Sequence, residues 1–96
     1  MVRSNVDMNK QKPLYTFDEL VRVKLTQEAR EYLHHRVVAT FRGHKQWITV
    51  EFEDVKNTIF RIINIVRDGS GIGYVCRNEE EGYNIALPED IVDFAF

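Results

Sequence analysis

The segment QWITVEFED, residues 46–54, alternates apolar and polar side chains more regularly than any other part of the chain. The alternation divides the side chains between two faces: Ile48, Val50 and Phe52 on one, and Trp47, Thr49, Glu51 and Glu53 on the other. A period of two fits a strand and does not fit a helix. The segment therefore predicts a strand with one buried face and one wet face, because two members of the second face are charged.

Further segments of the same kind follow, separated by turn residues. ELVRVKL (19–25) places Val21, Val23 and Leu25 on one face, and RVVATFRG (36–43) pairs with QWITVEFED in a hairpin whose tip, RGHK, is basic and contains a histidine. NTIFRIINIVRDG (57–69) is apolar on both faces, which is typical of a central or covered strand. GIGYVCRNEEEGYNIALP (71–88) predicts two short strands around the acidic turn NEEEG, and EDIVDFAF (89–96) predicts a turn and a last apolar strand.

One short helix interrupts these strands. TQEAREYLHH (26–35) contains helix formers, with Thr26 placed as the N-cap and Glu28 in the first turn. Residues 1–14 are polar and lack periodicity, which predicts a tail, and residues 15–96 then form a single domain. The predicted fold is mainly β: a small barrel of about five to six strands with one short helix in the first loop.

Composition narrows the class of protein. A chain of 96 residues with 44% apolar and 29% charged residues fits one globular domain. No apolar run approaches the ~18 residues that would span a bilayer, and the first residues lack the apolar core of a secretory signal. The single cysteine, Cys76, cannot form an internal disulfide, which agrees with a reducing compartment. We therefore expect a cytoplasmic protein.

Charge is distributed unevenly between the two halves of the chain. The first 48 residues hold nine Lys and Arg against five acids, and the remaining residues hold four against ten. The overall pI of 5.9 argues against a protein that binds nucleic acid mainly through counterion release.

The segment RDGSGIGYVCR (67–77) has glycines at 69, 71 and 73 and looks at first like a phosphate-binding loop. Such a loop needs its glycines between a strand and a helix, whereas GYVCR predicts a strand. The spacing of these glycines also matches neither the dinucleotide-binding fingerprint nor the lysine-bearing Walker motif. A hairpin turn explains these residues better, because Asp68-Gly69 is a favoured turn pair.

Other candidates for chemistry have simpler interpretations. His34, His35 and His44 lack a recognised metal-ligand spacing and are predicted to be surface residues, so no metal site or cofactor is expected. Cys76 has no paired base and alternates with core positions, which favours a small core residue over a nucleophile. The acids Glu79–Glu81 form a turn that is either a solvated loop or a contact for a basic partner.

The most informative cluster lies around the predicted RGHK hairpin: Arg36, Arg42, His44, Lys45 and Trp47. Three interpretations fit Trp47. The ring packs over one end of the core, anchors a protein partner in the way that Trp and Arg often do, or provides a stacking platform for a nucleic-acid base.

The order of these elements resembles the SH3-like barrel group, which includes KOW-type domains of transcription and translation proteins and a small photosystem subunit. The matching features are the V-x-V of Val21 and Val23, the V-x-F of Val50 and Phe52, and the ending LPEDIVDF. The glycine that KOW motifs place before their second strand is missing where HHRVV stands, the first loop is helical, and the hairpin IFRIINIVRDGSGIGYVC looks like an addition. The resemblance implies an architecture and no particular ligand.

These observations predict a non-enzymatic binding module that regulates a larger protein by docking on it, as a small accessory protein of a phage or a bacterium would. The alternative is a binder of RNA or single-stranded DNA that uses the same basic hairpin. An enzyme ranks third, because the sequence shows no nucleophile or metal site. No membrane partner is expected, and the apolar DFAF ending leaves open whether the chain is a monomer or a homodimer.

Overall fold

The computed structural model describes residues 12–69 and 71–96. Seven strands, two short helices and one 3₁₀ turn follow in chain order: β1 (Leu20–Val23), α1 (Gln27–Tyr32), β2 (His34–Phe41), β3 (His44–Glu51), α2 (Phe52–Val55), β4 (Phe60–Asp68), β5 (Gly71–Asn78), β6 (Tyr83–Pro88), the 3₁₀ turn (Glu89–Ile91) and β7 (Val92–Phe94). No helix in this part of the chain is long and apolar enough to cross a bilayer.

The strands form a single sheet in the order β3-β2-β6-β5-β4-β1-β7, and all neighbours are antiparallel. The prediction of a mainly β chain with a short helix in the first loop is confirmed. The strand count is seven, and over the described residues the sheet is open, with β3 at one end and β7 at the other. The β4–β5 hairpin, which looks like an addition in sequence, lies inside the sheet, and the β2–β3 hairpin forms its end.

Alternating burial creates the core. In β5 every second residue is buried (Ile72, Tyr74, Cys76 and Asn78), and β6 repeats the pattern with Tyr83, Ile85 and Leu87. Because β5 is bonded on one side to β4 and on the other to β6, its buried side chains lie on the same face as those of both neighbours. One face of the sheet therefore holds the core, and the position of Cys76 in it is as predicted.

Two predicted strand boundaries are wrong, and local capping explains both. Thr26 is the N-cap of α1, as predicted, and its Oγ1 accepts a hydrogen bond from the Ala29 N–H at 3.2 Å. The chain therefore leaves β1 after Val23, and Leu25 is exposed instead of buried. The strand QWITVEFED ends at Glu51, because Glu51 and Asp54 form a capping box that starts a one-turn helix at Phe52.

The strand β4 is central, as its apolar pattern predicts, since it lies between β1 and β5. Its second apolar face is not covered. The register shifts between Ile62 and Asn64, which places a bulge at Ile63, and both Ile63 and Val66 are exposed. On this half of β4 the side chains of Ile63 and Val66 therefore lie at the surface, whereas Ile65 packs against the core.

The glycine-rich segment joins β4 to β5, two paired strands, so it turns the chain as predicted and has no helix behind it. Ser70 lies outside the described residues. Most of the predicted tail, residues 1–11, also lies outside them. Of the rest, the Leu14 N–H donates to the Tyr74 hydroxyl at 3.1 Å and to the Glu89 carboxylate at 3.0 Å.

The β2–β3 hairpin is attached to the rest of the sheet near Gly82. Ala39 pairs with Tyr83, and the Thr40 N–H donates to the Gly82 carbonyl oxygen at 2.8 Å. Gly82 has a φ of +72°, and a Cβ at this position would overlap the Thr40 carbonyl oxygen. The close approach of two backbones therefore requires glycine here.

We expect Gly82→Ala to lower the free energy of unfolding by roughly 3 kcal/mol or more, because backbone strain and a steric clash act together. Gly43→Ala is the matched control, because Gly43 also has a positive φ of +81° but nothing lies within 4 Å of its added Cβ. This control should lose only about 1–2 kcal/mol. Urea unfolding measures both variants, and equal losses would contradict the proposed close approach.

Candidate docking site on the β2–β3 hairpin

The predicted basic hairpin is present and is closed by a two-residue turn. Arg42 and Gly43 have φ values of +53° and +81°, and Phe41 pairs with His44 across the turn. Positive φ at both central residues is the geometry of a type I′ turn, whose twist matches that of the strands it joins. The register continues without a bulge from this pair to His34 and Glu51.

The residues of this hairpin that face away from the core form the candidate site. Ala39 is buried on the core face, so the alternating positions Arg36, Val38 and Thr40 point outward. In β3 their cross-strand partners are Thr49, Trp47 and Lys45. We call Arg36, Val38, Lys45 and Trp47 the Trp47 patch.

Trp47 and Arg36 contact each other within this patch. The Arg36 guanidinium carbon lies 5.0 Å from the centroid of the Trp47 ring, a cation–π distance. Trp47 is nevertheless 62% exposed and Val38, its cross-strand partner, is 41% exposed. The interpretation that Trp47 packs over one end of the core is therefore wrong, because the ring lies on the outer face of an end strand.

The patch is positively charged. The ion pairs between described residues use other cations: Arg30 and Lys56 with Glu53, and Arg61 and Arg77 with Glu79. Over residues 12–69 and 71–96, no carboxylate pairs with Arg36 or Lys45. A ligand that approaches this face therefore meets two cations that internal ion pairs do not neutralise.

The structure does not bring all five predicted residues to one face. Arg36, Lys45 and Trp47 share the outer face, Arg42 lies in the turn, and His44 alternates to the opposite face of β3. His44 follows the turn in sequence and so belongs to the predicted cluster. The pleat of the strand nevertheless points its side chain away from the face that carries Lys45. The pattern of alternation already contained that signal.

The other histidines do not form a metal site. His34 is exposed and its Nδ1 lies 3.4 Å from a Glu51 oxygen, while the half-buried His35 stacks on Tyr32 with ring centroids 4.5 Å apart. Among the described residues, no group of three or more His, Cys, Asp or Glu could hold a metal ion. The two residues lie on β2 and not in the predicted helical segment, and their side chains point to opposite faces. Because His35 is half-buried, the prediction of a surface residue is wrong for it.

Cys76 has the environment of a core residue. Its side chain is fully buried, and burial raises the pKa of the thiol to about 12. Its Sγ lies 3.8 Å from the Tyr74 carbonyl oxygen, and no base of the described residues hydrogen-bonds to it. Since the thiolate is the reactive form, this thiol is not a nucleophile near neutral pH.

An open groove of about 350 Å³, which no sequence pattern predicts, lies beside the 3₁₀ turn. Its lining includes Tyr32, Gly73, Ala86, Pro88, Glu89 and Asp90. The Tyr32 hydroxyl donates to the Ala86 carbonyl oxygen at 3.1 Å, which holds α1 against β6. The groove depends on contacts between segments that are distant in sequence, so periodicity could not predict it.

Comparison of the chain with protein-family models, with curated proteins and with solved structures gives no match.

We expect Trp47 to emit at the wavelength of a solvent-exposed indole and to be quenched efficiently by acrylamide, because its ring is 62% exposed. It is the only tryptophan, so the spectrum has a single source. Trp47→Ala should change the free energy of unfolding by no more than about 1 kcal/mol, since it removes one cross-strand contact and no core atoms. Blue-shifted, poorly quenched emission would contradict the exposed position.

Alkaline pH should destabilise the fold through two buried groups. Burial, followed by the hydrogen bond to Glu89, raises the pKa of Tyr74 to about 12, and burial raises the pKa of Cys76 to the same range. In the unfolded chain these groups ionise near their ordinary values, so above pH ~9 the unfolded state loses protons that the folded state keeps. The stabilisation that is complete below pH ~9 is then lost as pH rises toward 12.

Urea unfolding between pH 8 and pH 11 should show a loss of roughly 4 kcal/mol. Cys76→Ala should reduce the slope of stability against pH between pH 9 and pH 10, whatever its effect on absolute stability. Equal slopes for the two proteins would contradict the assignment to Cys76. Thiol labelling at pH 8 gives a second measurement, since native protein should react far more slowly than protein in urea.

Proposed function

We propose that this protein is a non-enzymatic binding module of the cytoplasm that regulates a larger protein by docking on it through the Trp47 patch. One observation supports this proposal above all others: a largely exposed tryptophan lies beside an arginine and a valine on the outer face of an end hairpin. Burying this ring against a partner would remove apolar area from water without disturbing the core.

The composition of the patch fits a protein partner. Trp and Arg dominate the residues whose truncation weakens protein interfaces, and Trp47 and Arg36 are already in contact. The unpaired cations of Arg36 and Lys45 favour a partner surface with carboxylates around an apolar pocket. A small accessory protein, such as one encoded by a phage or a bacterium, would act through a surface of this kind.

We also propose that the domain is a divergent SH3-like barrel. Support comes from the last strand, β7, which follows a single 3₁₀ turn and pairs with the first strand, β1. In this interpretation α1 and the β2–β3 hairpin are both inserted into the first loop, between β1 and β4. The Trp47 patch would then lie on an insertion and not on the barrel itself.

The second candidate ligand is RNA or single-stranded DNA. The exposed Trp47 ring could stack on a base while Arg36, Lys45 and Arg42 of the turn meet phosphates. The net charge of −2 favours the protein ligand, because sequence-independent binding of nucleic acid depends on a large excess of cations.

Affinity capture with the purified protein tests the docking hypothesis. We expect the wild type to retain a specific protein and Trp47→Ala to lose it, because the anchor is removed while the fold remains. Phe17→Ala is the matched control, since Phe17 is also a large aromatic residue with 59% exposure but lies far along the chain, before β1. Capture of the same proteins by the wild type and Trp47→Ala would sink the hypothesis.

Titration of Trp47 fluorescence with short single-stranded RNA and DNA tests the second candidate. Quenching that weakens steeply with salt, and a shallower salt dependence for Lys45→Glu, would favour nucleic acid. An unchanged spectrum leaves the protein ligand. Both experiments depend on Trp47, but one tests a protein ligand and the other a nucleic-acid ligand. Their outcomes therefore distinguish the two proposed ligands.

A further inference from the structure

The strand β3 is an exposed edge of the sheet. It is eight residues long, contains no proline, and pairs with β2 without a bulge. Within the described residues no strand lies on its other side. Edge strands that remain unpaired are usually short, bulged, interrupted by proline or guarded by charged side chains, because an unprotected edge pairs with another chain. The strand β3 has only the last of these protections, in Lys45 near its beginning and Glu51 at its end.

The direction of its backbone groups follows from a hydrogen bond in β2. The Thr40 N–H donates to Gly82 on the β6 side, so Thr40 and its partner Lys45 form a non-hydrogen-bonded pair. The N–H and C=O groups of Lys45 therefore point away from β2, toward the open edge. Because the direction of the backbone groups alternates along a strand, the N–H and C=O groups of Trp47 and Thr49 also point toward the open edge. Alternate residues whose backbone groups point outward in this way form a template for strand addition.

The charges of β3 are self-complementary. Lys45 lies near its beginning and Glu51 at its end, and both are exposed. If a second β3 lies antiparallel about a two-fold axis through Ile48, Lys45 comes opposite Glu51 of the other copy and Trp47 comes opposite Thr49. In antiparallel strands, opposite charges in such positions stabilise the pair. An unrelated strand has no reason to match this pattern.

We propose that a second copy of this chain occupies the edge, so that two β3 strands pair antiparallel about Ile48 and join the two sheets. The Glu51 N–H already donates to the Asp54 carboxylate at 3.1 Å, so the ladder between the copies ends at the Glu51 carbonyl. Pairing limited to this strand buries less area than a permanent dimer interface, so the equilibrium depends on concentration.

The dimer would enlarge the docking site. A two-fold axis perpendicular to the sheet keeps the outer faces of both copies on the same side, which brings the two Trp47 patches together across the axis. This consequence rests on the proposed function, whereas the dimer itself does not. A partner with two equivalent or elongated contacts would then bind more tightly than one patch allows.

Sedimentation equilibrium of the purified protein over a wide concentration range tests the dimer without any partner. We expect a mass that rises from the monomer value of 11.3 kDa toward twice that value. Thr49→Pro should remain monomeric, because it removes an N–H that points outward and leaves the β2–β3 ladder intact. Thr49→Ala is the matched control and should dimerise like the wild type.

Charge variants test the register and do not rely on proline. Lys45→Glu should raise the dimer Kd about tenfold, because two attractive exposed pairs become repulsive. Adding Glu51→Gln to this variant should restore part of the affinity, since it removes the repulsion and keeps an oxygen for the cap of α2. Restoration by Glu51→Gln would not occur if Lys45 faced another residue.

Hydrogen exchange identifies the edge directly. The amides of Lys45, Trp47 and Thr49 should become protected as the concentration rises, while those of β2 stay constant. The proposal is overturned if the wild type is monomeric at every concentration, if Thr49→Pro dimerises, or if these amides are already protected in the monomer by the chain's own segments. Each result is independent of the capture experiment, so the dimer and the docking function can fail separately.

Discussion

The buried ring and hydroxyl of Tyr74 connect three parts of this fold: β5, the segment before β1, and the 3₁₀ turn before β7. The ring is fully buried at the centre of β5 and packs edge-to-face on Tyr15, with centroids 5.4 Å apart. Its hydroxyl donates to Glu89 in the 3₁₀ turn and accepts from the backbone N–H groups of Leu14 and Tyr15. One residue therefore ties the beginning and the end of the domain to the middle of the sheet. Because these groups are hydrogen-bonded, their burial does not leave unsatisfied polar atoms.

The β2–β3 hairpin is held through its core face, which buries Ala39 and Val50, and through one backbone contact. Its contact with the sheet lies at Gly82, where the chain turns after β5, and the buried Asn78 fixes this turn by accepting from the Glu81 N–H at 3.1 Å. Beyond that point the outer face of the hairpin packs on nothing in the described chain. The residues that are most accessible to a partner are therefore those that contribute least to the core. Binding and folding then depend on different parts of one sheet.

Sequence patterns predicted local structure better than they predicted its neighbours. The alternation of β3 and β5, the N-cap Thr26 and the hairpin at Gly43 all depend on residues close in sequence, and each is present. The strand order depends on pairings between distant segments, which no period reports, so no pattern predicts that the β4–β5 hairpin lies inside the sheet. Alternation and the two acids on the second face of β3 predicted that this face is wet, and the exposure of Trp47 agrees with that prediction. The pattern alone did not show whether the ring packs over one end of the core.

The positive charge of the candidate surface also could not be predicted from the net charge of the chain. The chain is slightly acidic, yet its charges are unevenly placed: Glu53 and Glu79 each contact two cations elsewhere on the surface, and Glu89 binds the Tyr74 hydroxyl. Acids used in this way no longer face the cations of the hairpin. What a partner meets is set by the local arrangement of charges: on the outer face of the hairpin Arg36 and Lys45 lie near Trp47, whereas Glu51 lies at the end of β3. A chain with a net charge of −2 can in this way present a basic, aromatic surface.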